Sequence, residues 1–248
     1  MASVQRRAVQ LLLDDGPLVT LLPEGTSLHP WAVTLALDAR GLSRVTADAA
    51  ARVTAGGLEV GLLRVALNTM EVVELRLQRR PWALPPDAAR RLSTLAGPAP
   101  TGGPFAPALA AALGPFREGG KAGGLAALLG VGEGLTPAGD DLVIGVLAGL
   151  DLSRGASPLA APLRVELVKA LTAARLERTA RLSAQMIGAA KDGFYAEPVL
   201  GVLRALADAR SAATSLDPAA AALLSLGHCS GRETLRGIAA AVERVTRS

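Results

Sequence analysis

Gly130-Val131-Gly132-Glu133-Gly134-Leu135-Thr136-Pro137-Ala138-Gly139-Asp140-Asp141 is the stretch around which the chain is organised, and the apolar run Leu142-Val143-Ile144-Gly145-Val146-Leu147-Ala148-Gly149-Leu150 stands behind it. Gly130, Gly132, Gly134 and Gly139 suit a backbone that turns tightly or lies close to another group. Thr136 followed by Pro137 reads as a helix N-cap and first helical position. After the two carboxylates no charge appears before Asp151. A helix that is apolar all round is buried on every side. Asp140 and Asp141 are therefore expected where a buried helix begins. Carboxylates in such a place need a cation or several donors, because desolvating a lone charge is very costly.

The 248 residues fit one large domain or two modest ones, and half of them are apolar, enough for a sizeable core. Only six are aromatic, so that core is built from Leu, Val and Ala. The formal charge is +4, and the arginines are scattered rather than interleaved with aromatics, so no nucleic-acid partner is expected. One cysteine, Cys229, excludes an intramolecular disulfide and a cysteine-based zinc site, which fits a reducing cytoplasm. No run approaches a membrane span of about 20 apolar residues. Arg6-Arg7 and the short run at residues 9–13 lack the pattern of a signal peptide. The expectation is a cytoplasmic protein with no membrane partner.

Working outward, residues 1–82 read as short strands. Residues 9–13, 18–22, 31–37, 58–60, 63–67 and 72–77 carry the apolar or alternating pattern, with turns at Asp14-Asp15-Gly16-Pro17, Pro23-Glu24-Gly25 and Gly56-Gly57. They predict a small antiparallel barrel or sandwich. Pro81, Pro85 and Pro86 then mark a change. Residues 83–248 read as helical, with helices over 87–95, 108–113, 163–171, 175–190, 197–209, 218–226 and 231–245, and a Gly/Pro-rich connector or lid at 97–107. The fold class expected is α+β, a β-rich domain (1–82) followed by an α-helical domain (83–248).

Three constellations carry candidate chemistry. The glycine stretch is neither a P-loop nor a dinucleotide fingerprint, yet its free N–H groups at a helix N-terminus favour an anion. Gly132, Gly134, Thr136 and Gly139 would shape that loop. Adjacent carboxylates on a helix project about 100° apart and do not easily chelate one ion. Asp140 or Asp141 is a candidate Mg²⁺ ligand, the other orienting the loop. No other cofactor is indicated.

Leu226-Gly227-His228-Cys229-Ser230-Gly231-Arg232-Glu233 is the second. Ser230 and Glu233 have the spacing of a capping box. His228 is a candidate acid/base or donor, with Ser230 and Gly231 lining the same bend. Cys229 has no paired base and is a poor candidate nucleophile. The third is the segment with Arg178, Thr179, Arg181 and Ser183. Thr179 and Ser183 share a helical face with Met186 and Ile187, and matter only where that face meets the two loops.

Residues 130–141 resemble the hallmark of AllH-like proteins, and Gly227-His228-Cys229-Ser230-Gly231 is similar to that family's later Gly-His-x-Ser-Gly element. The resemblance covers mainly residues 120–245, with Thr179 to Ser183 standing where the family has a Thr/Ser-bearing helix. It implies a subunit of oxamate carbamoyltransferase in anaerobic allantoin breakdown, acting with AllG-like and FdrA-like subunits. The implied reaction is phosphorolysis of oxalurate to oxamate and carbamoyl phosphate. His228, Asp140 and Asp141 would then be catalytic, and Gly132, Gly134, Thr136, Gly139, Ser183, Ser230 and Gly231 would bind substrate anions. A non-catalytic anion- or nucleotide-binding scaffold, or a stand-alone Mg²⁺-dependent hydrolase, are the alternatives.

Overall fold

The computed structural model describes residues 2–5, 8–14, 16–46, 49–78, 84–103, 105–207 and 212–247. The chain divides into two compact units, residues 1–75 and 76–248. The boundary expected at 82–83 lies outside the described residues.

The first unit carries β1 (Ala2–Gln5), β2 (Ala8–Leu12), β3 (Leu18–Pro23) and β4 (Ala32–Leu35) in one four-stranded sheet. A short helix, α1 (Ala39–Leu42), follows, capped by Asp38, whose Oδ1 accepts from the Gly41 amide at 2.8 Å. A three-stranded antiparallel sheet completes the unit: β5 (Ala51–Thr54), β6 (Gly57–Val60) and β7 (Leu63–Val65). Val9, Leu11 and Leu21 from the first sheet and Leu58 and Val60 from the second share one core with Leu35, Leu42 and Val45. The α+β class is as expected, and among the described residues the strands form two open sheets and no closed barrel. The β3–β4 pair is parallel, because eight residues between Pro23 and Ala32 let the chain return to near the start of β3 before it pairs.

Residues 72–77, expected as a strand, have no strand beside them among the described residues. Only Arg76 pairs, in an isolated bridge to Phe194, over whose ring its guanidinium lies at 4.2 Å. Alternation marks a half-exposed strand only where a neighbour supplies hydrogen bonds. Here Val72 is left almost fully exposed.

The second unit is helical: α2 (Ala88–Ala96), α3 (Phe105–Arg117), a 3₁₀ segment (Ala122–Leu128), α4 (Ala138–Ser153), α5 (Ala160–Ala170), α6 (Ala173–Leu176), α7 (Arg181–Lys191), α8 (Glu197–Ala207), α9 (Ala212–Leu224) and α10 (Ser230–Thr246). α3 begins earlier than expected, since Pro107 sits in its first turn, where no amide is needed. The single helix expected over 175–190 is broken into α6 and α7 at residues 177–180. The reason is tertiary and is given below.

α4 is the central helix and is buried all round, as its bare sequence demands. Its main partner is α10, and glycines set their distance. A Cβ placed on Gly145 would lie 2.0 Å from the Thr234 carbonyl oxygen, and one on Gly237 would lie 2.2 Å from that of Leu142. Gly149 likewise faces Ile238 and Ala241. The order Gly145–Thr234, Gly149–Ile238 makes the two helices run parallel, so both N-termini lie at the same end. At the other end Asp151 holds the buried Arg164 (Nε to Oδ1 2.6 Å, Nη2 to Oδ2 3.1 Å) and accepts from the Tyr195 hydroxyl at 2.6 Å. That network ties α4 to α5 and to the segment following α7. No helix among the described residues is long and apolar enough to cross a membrane.

Two opposing effects meet in a Gly→Ala change here. Alanine favours a helix over glycine by up to about 1 kcal/mol, but at Gly145 the new methyl strikes a backbone carbonyl that no side-chain rotation can clear. Gly145→Ala is expected to lose about 1–3 kcal/mol net. Gly188→Ala in α7, where a Cβ meets nothing within 4 Å, should be neutral or gain. Urea melts of the two variants check this.

Candidate functional site

The three sequence constellations meet at the paired ends of α4 and α10. The Thr136 and Ser230 hydroxyls are hydrogen-bonded to each other at 2.9 Å, joining the glycine loop to the histidine-bearing bend. This one bond changes two expected caps. The N-cap of α4 is Pro137, without a side-chain bond, because the Thr136 hydroxyl is turned to Ser230. The N-cap of α10 is Cys229, and the Ser230/Glu233 capping box does not form. Ser230 is engaged by Thr136, and the Glu233 carboxylate is drawn to Arg236.

Asp140 is fully buried and its carboxylate is filled by protein donors. Oδ1 accepts from the Gly130 amide at 2.9 Å. Oδ2 accepts from the Ser183 hydroxyl at 2.6 Å and, in a very short bond, from the Thr179 hydroxyl. The face bearing Thr179 and Ser183 therefore meets the glycine loop. This contact breaks the helix at 177–180. Gly130 at φ 74° lies under the Arg178 carbonyl, which a Cβ there would approach to 2.3 Å, and Thr179 leaves helical geometry to reach Asp140. The N-terminus of α7 thus joins those of α4 and α10, three positive helix ends around one place.

The glycines divide into two kinds. The Gly139 amide bonds the Val131 carbonyl at 2.9 Å and the Gly231 amide that of Leu226 at 3.2 Å. Both are also closely packed: a Cβ would fall 2.1 Å from the Leu128 oxygen and 1.8 Å from the Leu223 oxygen, respectively. Neither amide is free to meet an anion, and both positions set the shape of their bends by packing. Gly132 (φ 121°) and Gly134 (φ 91°) differ, since among the described residues the amides of residues 132–136 donate to no protein acceptor. His228 is exposed at the rim and its ring makes no hydrogen bond among the described residues.

The model of a protein family described as oxamate carbamoyltransferase subunit AllH matches residues 128–242. Over these residues, just under half of its length, the chain is similar to that family. No solved structure matches the chain. The AllH-like stretch opens at Leu128, against which Gly139 packs, and runs into α10, so it contains every candidate site residue.

Within it, Glu233 is the residue that sequence reasoning missed as part of the site, having read it only as half of a cap. Its side chain is 5% exposed. Its Oε1 pairs with Arg236, whose guanidinium also reaches the carbonyls of Gly97 and Pro98, and its buried Oε2 has no hydrogen-bond partner. Asp141, 5% exposed, likewise has an Oδ2 with no partner. Burial pushes the Asp141 carboxyl up to about 8. The neighbouring carboxylates of Asp140 and Glu233 add to this, and the Ser230 and Thr136 hydroxyls oppose it. Cys229 is raised by burial and by the same acids, Asp141 and Glu233, which makes it a weak nucleophile. Among the described residues no group of three or more His, Cys, Asp or Glu is placed to hold a metal.

A carboxyl raised from 3.8 to about 8 binds its proton more tightly in the folded chain than in the unfolded one. Its contribution is complete below about pH 4 and is lost as the pH climbs through about 8. In metal-free protein, Asp141→Asn should therefore gain stability relative to the native chain steadily across that window and level off above it. Thermal melts at half-unit pH steps from 5 to about 9 measure the difference, and a constant difference contradicts the assignment.

Proposed function

We propose that the chain is a subunit of a carbamoyltransferase that carries oxalurate and phosphate to oxamate and carbamoyl phosphate. The Thr136–Ser230 bond carries this reading, because it unites both glycine bends of the AllH-like stretch in one site. The unpaired amides of residues 132–136 and the three helix N-termini supply donors and positive potential for a carboxylate and a phosphate. Asp140 acts as the clip that sets the loop rather than as a reactant, its oxygens being occupied. Ser183 and Thr136 act through the hydroxyl bonds they make, and Ser230 completes the cradle.

In this reaction a phosphate oxygen attacks the carbamoyl carbon of oxalurate and the carbon–nitrogen bond to the oxamate portion breaks. The proton of hydrogen phosphate passes to the departing nitrogen. His228, at the rim and able to rotate, is the candidate for moving that proton. Partner subunits of the AllG-like and FdrA-like kinds would supply the rest of the catalytic surface.

One observation favours a second reading. No neighbour among the described residues orients the His228 ring, as a catalytic base is usually oriented. A non-catalytic module that binds an anionic metabolite would not need that orientation.

Calorimetric titration with oxalurate and with phosphate, of the chain alone and with its partner subunits, tests both. The transferase reading expects binding of both anions and phosphate-dependent formation of oxamate, with His228→Ala lowering turnover by about 10²-fold or more. Anion binding with turnover untouched by His228→Ala supports the second reading. No binding of either anion in any combination excludes both.

A further inference from the structure

Two unpartnered carboxylate oxygens at the heads of two parallel helices call for a ligand of their own. Asp141 Oδ2 on α4 and Glu233 Oε2 on α10 are both buried, on residues that are 5% and 4% exposed, and neither accepts a hydrogen bond. The register of the helices sets their first turns side by side. Gly145 lies against Thr234 and Gly149 against Ile238, a constant offset of 89 positions, so Asp141 falls opposite Ser230, in the turn that also holds Glu233. Thr136 and Ser230 add two hydroxyl oxygens 2.9 Å apart, and both lie beside the Asp141 carboxyl. Among the described residues, the only guanidinium bonded to this set, that of Arg236, is spent on Glu233 Oε1 and on the carbonyls of Gly97 and Pro98.

The set is rich in oxygen and poor in donors. Leaving two carboxylate oxygens buried and unpaired is costly, and a hard divalent cation relieves both at once. Mg²⁺ is commonly held by only one or two carboxylates, with waters and phosphate oxygens filling the remaining positions. Two carboxylates with two hydroxyls meet that requirement without a third acid.

We propose that the facing first turns of α4 and α10 form a divalent-cation site of the Mg²⁺ class. Asp141 and Glu233 are its carboxylate ligands, and the hydroxyls of Thr136 and Ser230 complete the oxygen set. The pair is formed by residues of different helices, 92 positions apart, and differs from the adjacent Asp140/Asp141 pair, whose first member is already saturated by protein donors. A cation held there sits beside the amides of residues 132–136, so an incoming phosphate would meet metal and loop together. The inference goes beyond the carbamoyl-transfer reading and is measured with no substrate present, so failure of one leaves the other standing.

The probe is Mn²⁺, titrated by electron paramagnetic resonance into the full chain after chelator treatment. One Mn²⁺ per chain is expected, displaced by excess Mg²⁺. Asp141→Asn and Glu233→Gln should each weaken uptake about tenfold or more, and Ser230→Ala by less. Asp192→Asn, an exposed carboxylate away from the set, should leave uptake unchanged. Mg²⁺ should also raise the melting temperature of the native chain but not that of Asp141→Asn. Glu233→Gln leaves Arg236 without its charge partner and risks misfolding. The near-isosteric Asp141→Asn, with circular dichroism as the check on folding, keeps the test decisive. A folded native chain that takes up no Mn²⁺ assigns the pair a shared proton instead and overturns the proposal. So does uptake that Asp141→Asn leaves intact.

Discussion

The approach of two helix backbones to near contact is the constraint on which the second unit depends. Gly145 and Gly149 on α4 and Gly237 on α10 have no side chains to hold the helices apart, so carbonyl oxygens of one stand where a Cβ of the other would be. Packing at that distance fixes the register as firmly as a bulky side chain in a socket would. Because the pair is parallel, it also fixes the chemistry. Two positive helix ends lie side by side, and whatever the first turns carry is brought into one small volume.

That volume holds acids, and they are handled in different ways. Asp140 is surrounded by an amide and two hydroxyls from segments far apart in the chain, so its charge is matched by charge-assisted hydrogen bonds. It works as a clip joining the glycine loop to α7. Glu233 is half-matched by Arg236, which in turn grips the end of the turn after α2. Asp141 has hydroxyls beside it and an oxygen with no partner. Moving from Asp140 to Glu233 to Asp141, the protein supplies less and less, and the least supplied group stands where the AllH-like motifs meet. Buried polar groups left unmatched are uncommon in a native fold, and each calls for a physical explanation.

Much of this was legible beforehand. The bare run after Asp141 announced a helix buried on all sides, and α4 is one. The two glycine-flanked bends were expected to share a site, and the Thr136–Ser230 bond joins them. The hydroxyls of Thr179 and Ser183 were expected to matter only if their face met the two loops, and it meets the first of them, through Asp140 and Gly130. The misreadings share one cause. Ser230 with Glu233 and Thr136 with Pro137 carry sound local signatures for caps, but the two hydroxyls found each other across the helix pair and the Glu233 carboxylate found Arg236 one turn further along α10. Residues 72–77 alternate like a strand, yet a strand exists only beside another. The 175–190 helix was broken by a contact with Gly130, which no window of sequence around Thr179 can reveal.

By itself the sequence determined that a strand-rich part would precede a helical one, that the helix after the glycine loop would be central, and that its leading acids would need partners. These follow from periodicity, from the cost of exposing apolar surface and from the cost of burying charge, all of which act locally. Only the tertiary structure decided who those partners are. It assigned Asp140 its three donors, turned the Thr136 and Ser230 hydroxyls toward each other, and set the turn holding Glu233 opposite Asp141. The reason is that a hydrogen bond or a shared ion depends on separations of a few ångströms. Those separations are set by how closely α4 approaches α10 on one side and the start of α7 on the other, quantities that exist only once the helices have formed and met.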